Sequence, residues 1–223
     1  MFIRDRFKIR AEKSGISKIT IDETLNQVKI IPRVIELDRK QPEFTLTLSE
    51  YLNRVVSNQR RKKGISKIRE NWILLENISK KYNVQPRFIV AVLGMESYYG
   101  KFQGEINAFD AITTLAFDRR RSSFYKKQLF AALKIIDNQL VPSGVLRGSW
   151  SGAVGMTQMI PTTFLESAFD WDGGGIDIWN SYPDAFASTA NYLTSIDKNP
   201  WFKDTTWGRE VIPPENLSIF FDS

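Results

Sequence analysis

Neither cysteine nor histidine occurs among the chain's 223 residues. Their absence removes disulfides, thiol nucleophiles, imidazole bases, serine–histidine triads and the usual zinc ligand sets. Proton transfer near neutral pH is left to carboxylates, with lysine and tyrosine as weaker candidates. Apolar length is lacking too. No stretch reaches the roughly 18 apolar residues of a membrane span, and the opening MFIRDRFKIR has no signal-peptide run. As given, the chain reads as soluble, with any export signal outside it. Strand-type alternation is scarce, and there is no internal repeat or low-complexity tract. A cysteine-free chain suits an oxidising compartment without requiring one.

What is present points to a folded, basic protein. A hydrophobic content of 42% can fill the core of one domain or of two closely joined ones. A net charge of +6 and a pI near 9.4 suit an anionic partner: nucleic acid, lipid headgroups or an acidic wall polymer. The densest basic run is Arg60, Arg61, Lys62 and Lys63. No aromatic residue interleaves it as a base-stacking platform requires, so a solvated helix end is its first reading and a polyanion contact its second.

The pattern is mainly α. Residues 49–83 are predicted helical, with Ser49 as N-cap and a second apolar series at Ile68, Trp72, Leu75 and Ile78. The stretch 86–100 opens on Pro86 and closes on Gly100, the asymmetry of a well-defined helix. Further amphipathic helices are predicted at about 105–117, 122–139, 161–169 and 183–196. The Gly-rich segments 141–156 and 170–182 read as loops of the kind that carry sites. This divides the chain into a helical N-terminal region at 1–85, a core at 86–198, and a tail at 199–223. Asn199-Pro200 and Pro213-Pro214 mark the tail as extended.

Glu96 is the chief candidate for chemistry. It is the only acidic residue between Glu76 and Glu105, one helical turn beyond Val92 and Leu93 and one before Tyr99. Apolar walls and a helix C-terminus both disfavour its ionised form, which raises the pKa as a general acid needs. The plain alternative is an ordinary surface glutamate.

Four motifs bear on that choice: GMESYYG at 94–100, LAFDRRR at 115–121, GSWSGAVGMTQMIPTTF at 148–164 and DIWNSYPDAFASTANYL at 177–193. They stand in the order seen in the membrane-bound lytic murein transglycosylase B family. PRVIELDRKQPEF at 32–44 resembles that family's helical lead-in, and the likeness covers about residues 2–215. It implies a lysozyme-like, mostly helical catalytic domain that cuts the MurNAc–GlcNAc bond of peptidoglycan glycan strands without water. Glu96 falls on the family's single catalytic glutamate. It would protonate the glycosidic oxygen and then deprotonate the muramic acid's C6 hydroxyl, leaving a 1,6-anhydromuramoyl end. Ordinary glycosidases need a second carboxylate, but a nucleophile already held within the substrate removes that need.

The resemblance also implies substrate roles for Arg120 and Arg121, whose forked donors suit carboxylates and acetamido oxygens, against a plain basic helix start. Ser149, Gln158 and Tyr192 match cleft positions of the family. Gly152, Ala153 and Gly155 would allow close approach of the glycan, or form a turn packed beneath the next helix. Met156 and Met159 read as packing residues.

Two departures shape the expectations. The family's calcium-loop-like DxDGDG reads DWDGGGID here, leaving Asp170, Asp172, Asp177 and Asp184 as oxygen donors with the fifth-position acid lost. No bound calcium and no other cofactor are expected. The family also continues past the equivalent of Pro214 with a strand-rich segment and a closing helix, which the 223 residues would lack. The implied setting is the periplasm or cell envelope, as a monomer without a nucleic-acid partner and with no indication about a lipid anchor. Rival readings are a hydrolytic muramidase using Asp110 or Asp118 as a second carboxylate, a non-catalytic glycan-binding scaffold and, last, a nucleic-acid binder.

Overall fold

A computed structural model describes residues 3–40 and 47–195. Eleven α-helices dominate these residues: α1 (Ile3–Lys13), α2 (Lys18–Thr24), α3 (Pro32–Arg39), α4 (Leu48–Val55), α5 (Asn58–Glu70), α6 (Trp72–Tyr82), α7 (Pro86–Ser97), α8 (Ala108–Phe117), α9 (Ser122–Asp137), α10 (Pro161–Ser167) and α11 (Tyr182–Ser195). Two short strands, β1 (Ile106–Asn107) and β2 (Arg147–Gly148), pair antiparallel. Local chemistry sets many boundaries. Ser17, Thr47, Ser57 and Asn107 cap their helices through side-chain oxygens, and Pro32, Pro86 and Pro161 open α3, α7 and α10, where the missing N–H costs nothing.

The predicted helix at 49–83 is three helices. Its start also differs, because Thr47 is the N-cap and forms a reciprocal capping box with Glu50, placing Ser49 inside the first turn. The predicted tail at 199–223 lies outside the described residues.

Two apolar clusters hold the fold together. In the first, α1–α3 pack on the α8–α9 pair through Phe7, Ile21, Leu25 and Val34 against Ile112, Leu115, Leu129 and Leu133. In the second, Leu75 and Ile78 of α6, Ile89 and Leu93 of α7, and Phe186 and Ala190 of α11 meet around Tyr99. One core therefore runs across position 85 and fixes α7 between α6 and α11.

Tyr99 occupies a slot that two glycines leave open. Its hydroxyl donates to the Arg60 carbonyl at 2.8 Å. A Cβ at Gly64 would lie 2.6 Å from the Tyr99 Oη and 3.4 Å from Cζ, whereas one at Gly94 would meet both at 2.7 and 2.8 Å. Either alanine substitution is expected to cost about 1–3 kcal/mol through overpacking. Thermal unfolding of Gly64→Ala and Gly94→Ala, alone and with Tyr99→Phe, checks this. Removing the hydroxyl should relieve Gly64→Ala but not Gly94→Ala, since the ring carbon still collides there. Equal relief of both would show that the slot is more adaptable.

Candidate active site

Glu96 stands on the last turn of α7, in a cleft of about 220 Å³. Val92, Met159 and Ile160 supply apolar wall, while Gln158, Thr163 and Tyr192 supply polar groups. The sequence reading anticipated Val92 and a raised pKa. The glutamate remains open to solvent at the cleft mouth, yet the protein packed around it is dense enough to push its pKa up by desolvation. Surface exposure and desolvation differ here because a carboxylate below a rim touches water while losing much of its hydration. No other carboxylate among the described residues lines the cleft.

The chain just after Glu96 is unusual. The sequence places Gly100 just past the helix end, but α7 stops at Ser97, and Tyr98, Tyr99 and Gly100 all take left-handed φ values of 53°, 60° and 83°. Such backbone is costly for side-chain-bearing residues and needs outside support. The Ser97 hydroxyl donates to the Met156 carbonyl at 2.7 Å and accepts from the Gly100 amide at 2.8 Å. Tyr182 donates its hydroxyl to the Tyr99 carbonyl at 3.0 Å. These bonds bind the end of α7 to the 148–160 segment and to α11.

Gln158 completes the juxtaposition. It also takes a left-handed φ, 47°, and its Nε2 donates to the Gln103 and Gly155 carbonyls, each at 2.9 Å. With its amide nitrogen committed, the carbonyl oxygen is the end left to meet a donor. Tyr192 reaches the same cleft from α11 and is 37% exposed. Thr157, Thr163 and Thr189 also line it. All three lie within the motifs at 148–164 and 177–193, but a threonine there carries no spacing that singles it out for chemistry.

The remaining sequence-derived candidates lie elsewhere. Arg120 and Arg121 do not line the cleft. Both guanidiniums engage Asp38 of α3: Arg120 donates through Nε to Oδ2 at 2.7 Å and through Nη2 to the carbonyl at 2.8 Å, and Arg121 donates to Oδ1. Burial alone would raise the Asp38 pKa, but hydrogen bonds from Arg120 and Arg121 more than offset it and hold it low. The pair thus ties α3 to the start of α9. Ser149 sits in a tight turn, within 3.0 Å of the Ser151 hydroxyl. Gly152 and Gly155 serve packing, since a Cβ on either would collide with Ile112 or Ile178. Met156 and Met159 are buried, as packing residues should be.

Neither proposed second carboxylate reaches Glu96's cleft. Asp110 accepts from the Lys29 amide at 2.8 Å and lines a separate polar pocket. Asp118 pairs with Arg39 at 2.8 Å.

At the calcium-like loop, Asp170 and Asp172 converge with Asp184 of α11, one oxygen of each within 4.8 Å of the others. Asp177 is not in the cluster and instead caps its own turn by accepting from the amides of Trp179 and Asn180. The cluster fits a hard cation in kind but falls short in number, since calcium takes six to eight oxygens. Gly174 stands at the fifth position, and main-chain amides already serve the carboxylates: Gly173 and Gly175 to Asp170, Trp171 and Asp177 to Asp184.

Comparison with known proteins agrees with this geometry. The family model described as the transglycosylase SLT domain matches residues 3–222. Membrane-bound lytic murein transglycosylase B of Escherichia coli K12 is 27% identical over 192 residues, covering 81% of this chain and 53% of that protein. SltB3 of Pseudomonas aeruginosa, solved with NAG-NAM-pentapeptide and with NAG-anhNAM-pentapeptide, superimposes with a TM-score of 0.86 at 39% identity over 96% of this chain and 56% of its own. The Escherichia coli lytic transglycosylase Slt35 in complex with calcium gives 0.75 at 25% identity, over 91% of this chain and 64% of its own. The chain thus spans little more than half the length of the first two relatives. A helical fold, a lone glutamate in its cleft and a family match across nearly the whole sequence lead to one conclusion: the chain belongs to the transglycosylase SLT domain family.

Proposed function

We propose that the chain is a lytic transglycosylase acting on stem-bearing peptidoglycan strands, with Glu96 as the sole acid and base. The observation that carries this reading is that Glu96 is the one carboxylate among the described residues lining the cleft, held with a raised pKa. The protonated Glu96 gives its proton to O4, the oxygen linking MurNAc C1 to GlcNAc C4, and the C1–O4 bond breaks. The resulting carboxylate takes the proton from the MurNAc C6 hydroxyl as its oxygen closes on C1. The proton returns to Glu96, no water is consumed, and the muramic acid ends as a 1,6-anhydro sugar. Gln158 and Tyr192 are placed to orient the sugars by hydrogen bonding. Hydrolysis would need a second carboxylate to activate water or act as nucleophile, and the positions of Asp110 and Asp118 argue against either in that role.

Digestion of purified sacculi tests this reading: soluble muropeptides should appear. Binding without release would favour the scaffold reading instead. We place this action in the cell envelope, in keeping with the relatives' names; no helix among the described residues is long and apolar enough to cross a membrane.

The proposal includes no cofactor. With an incomplete oxygen shell, millimolar calcium should raise the melting temperature by less than about 5 °C, since only a ligand well above its Kd stabilises strongly. A larger rise, specific to calcium over magnesium, would show that three aspartates suffice.

A further inference from the structure

The basic run at Arg60–Lys63 lacks aromatic neighbours in sequence but acquires them in the fold. Across from the start of α5 stands the left-handed turn that follows α7, carrying Tyr98, Lys101 and Phe102. Together they enclose a groove of about 820 Å³ whose cations are Arg54, Arg60, Lys62, Lys63 and Lys101, and no acidic side chain among the described residues lines it. Arg60 and Lys63 lie 5.3 and 4.6 Å from the Tyr98 ring centre, and Lys101 lies 5.1 Å from that of Phe102. Phe102 is 62% exposed, and the buried Nε of Arg60 meets no acceptor among the described residues. An uncompensated cluster of this kind attracts anions, and its aromatic floor suits a ligand that also has apolar groups.

Position decides which anion. The groove's wall and the catalytic cleft share one loop: Tyr98 follows Glu96 by two residues, and Gln158 of the cleft holds the Gln103 carbonyl. A pentapeptide extends to roughly 17 Å, and the groove's wall begins two residues past Glu96. We propose that this groove receives the carboxylate-bearing peptide stem of the strand that Glu96 cleaves, so that stem charge selects substrate. The proposal rests on the transglycosylase reading. Its cations act by holding the stem and take no part in bond breaking.

The test compares glycan strands that carry stems with the same strands stripped of stems by an amidase. Wild-type kcat/KM should favour stem-bearing strands about tenfold, as a few partly screened ion pairs allow, and the preference should shrink as salt rises. Lys62→Ala/Lys63→Ala/Lys101→Ala should bring the ratio to within about twofold by slowing only the stem-bearing strand, while arginine at the same positions should keep it. Equal wild-type rates on both strands, an unchanged ratio in the alanine variant, or equal slowing of both would overturn the proposal. So would loss of binding to anionic vesicles or DNA in that variant while the ratio holds. If the wild type cleaves neither strand, the transglycosylase reading fails instead. Calorimetry with the free pentapeptide then decides the groove: binding lost in the alanine variant supports it, and no binding to wild type overturns it.

Discussion

Glu96→Gln is expected to lower turnover of peptidoglycan by at least the 10²- to 10⁴-fold typical of one general acid–base role. The loss should sit in kcat, because the amide keeps the shape of the side chain but can neither give nor take the reacting proton. Folding should be unharmed. The raised pKa means that the folded state binds this proton more tightly than the unfolded chain, for which 4.5 is the ordinary value. Ionisation therefore penalises the fold as pH rises through about 4.5 and above the folded pKa, and the penalty vanishes at lower pH. The glutamine variant should be slightly more stable than wild type at neutral pH and indistinguishable from it in acid. Wild-type turnover retained by Glu96→Gln in sacculus digestion would remove Glu96 from the mechanism.

Asp38→Ala should be the most damaging of the substitutions remote from the cleft. Its carboxylate is nearly inaccessible and binds two guanidiniums, whose side chains are 43% and 38% exposed. Loss of one partner of a fully buried pair costs about 3–5 kcal/mol; here the arginines can rehydrate, so about 2–3 kcal/mol is expected after screening. That corresponds to roughly 5–10 °C in melting temperature. The depressed pKa adds a pH signature, because a carboxylate stabilised when ionised contributes fully above its unfolded value of 3.8 and loses that contribution as pH falls through its lower folded value. Activity per folded molecule should persist. A fall in strand binding at unchanged melting temperature would return Arg120 and Arg121 to the role of substrate holders.

The contrast between Glu96 and these arginines shows where sequence reasoning works. Glu96 stands out as a candidate because part of its setting is local: Val92 lies one turn away on the same helix, and no other acid lies nearby in sequence, although the rest of its cleft comes from residues 157–163 and α11. Arg120 and Arg121 pair with a carboxylate 82 and 83 positions earlier, which no local pattern encodes, so the sequence leaves open whether their forked donors hold substrate or only start a helix. The end of α7 was misjudged for the same reason. Gly100 is the residue that tolerates a left-handed turn, but Tyr98 and Tyr99 adopt it first, and Tyr99 is held by distant hydrogen bonds, its hydroxyl to the Arg60 carbonyl and its carbonyl from the Tyr182 hydroxyl. The cap at Thr47 is a different case, since its T-x-x-E spacing to Glu50 is visible in the sequence and marks the helix start better than Ser49. Three helices within 49–83 were read as one because the breaks at Ser57 and Asn71 fall inside a continuous polar and basic stretch.

Mass spectrometry of the muropeptides released from purified sacculi tests the central claim most directly, because the end group records whether water entered the reaction. A lone glutamate with an internal nucleophile yields 1,6-anhydromuramoyl ends, each lighter by one water than a lysozyme product. Free reducing ends throughout would contradict it and require a second catalytic group beside Glu96.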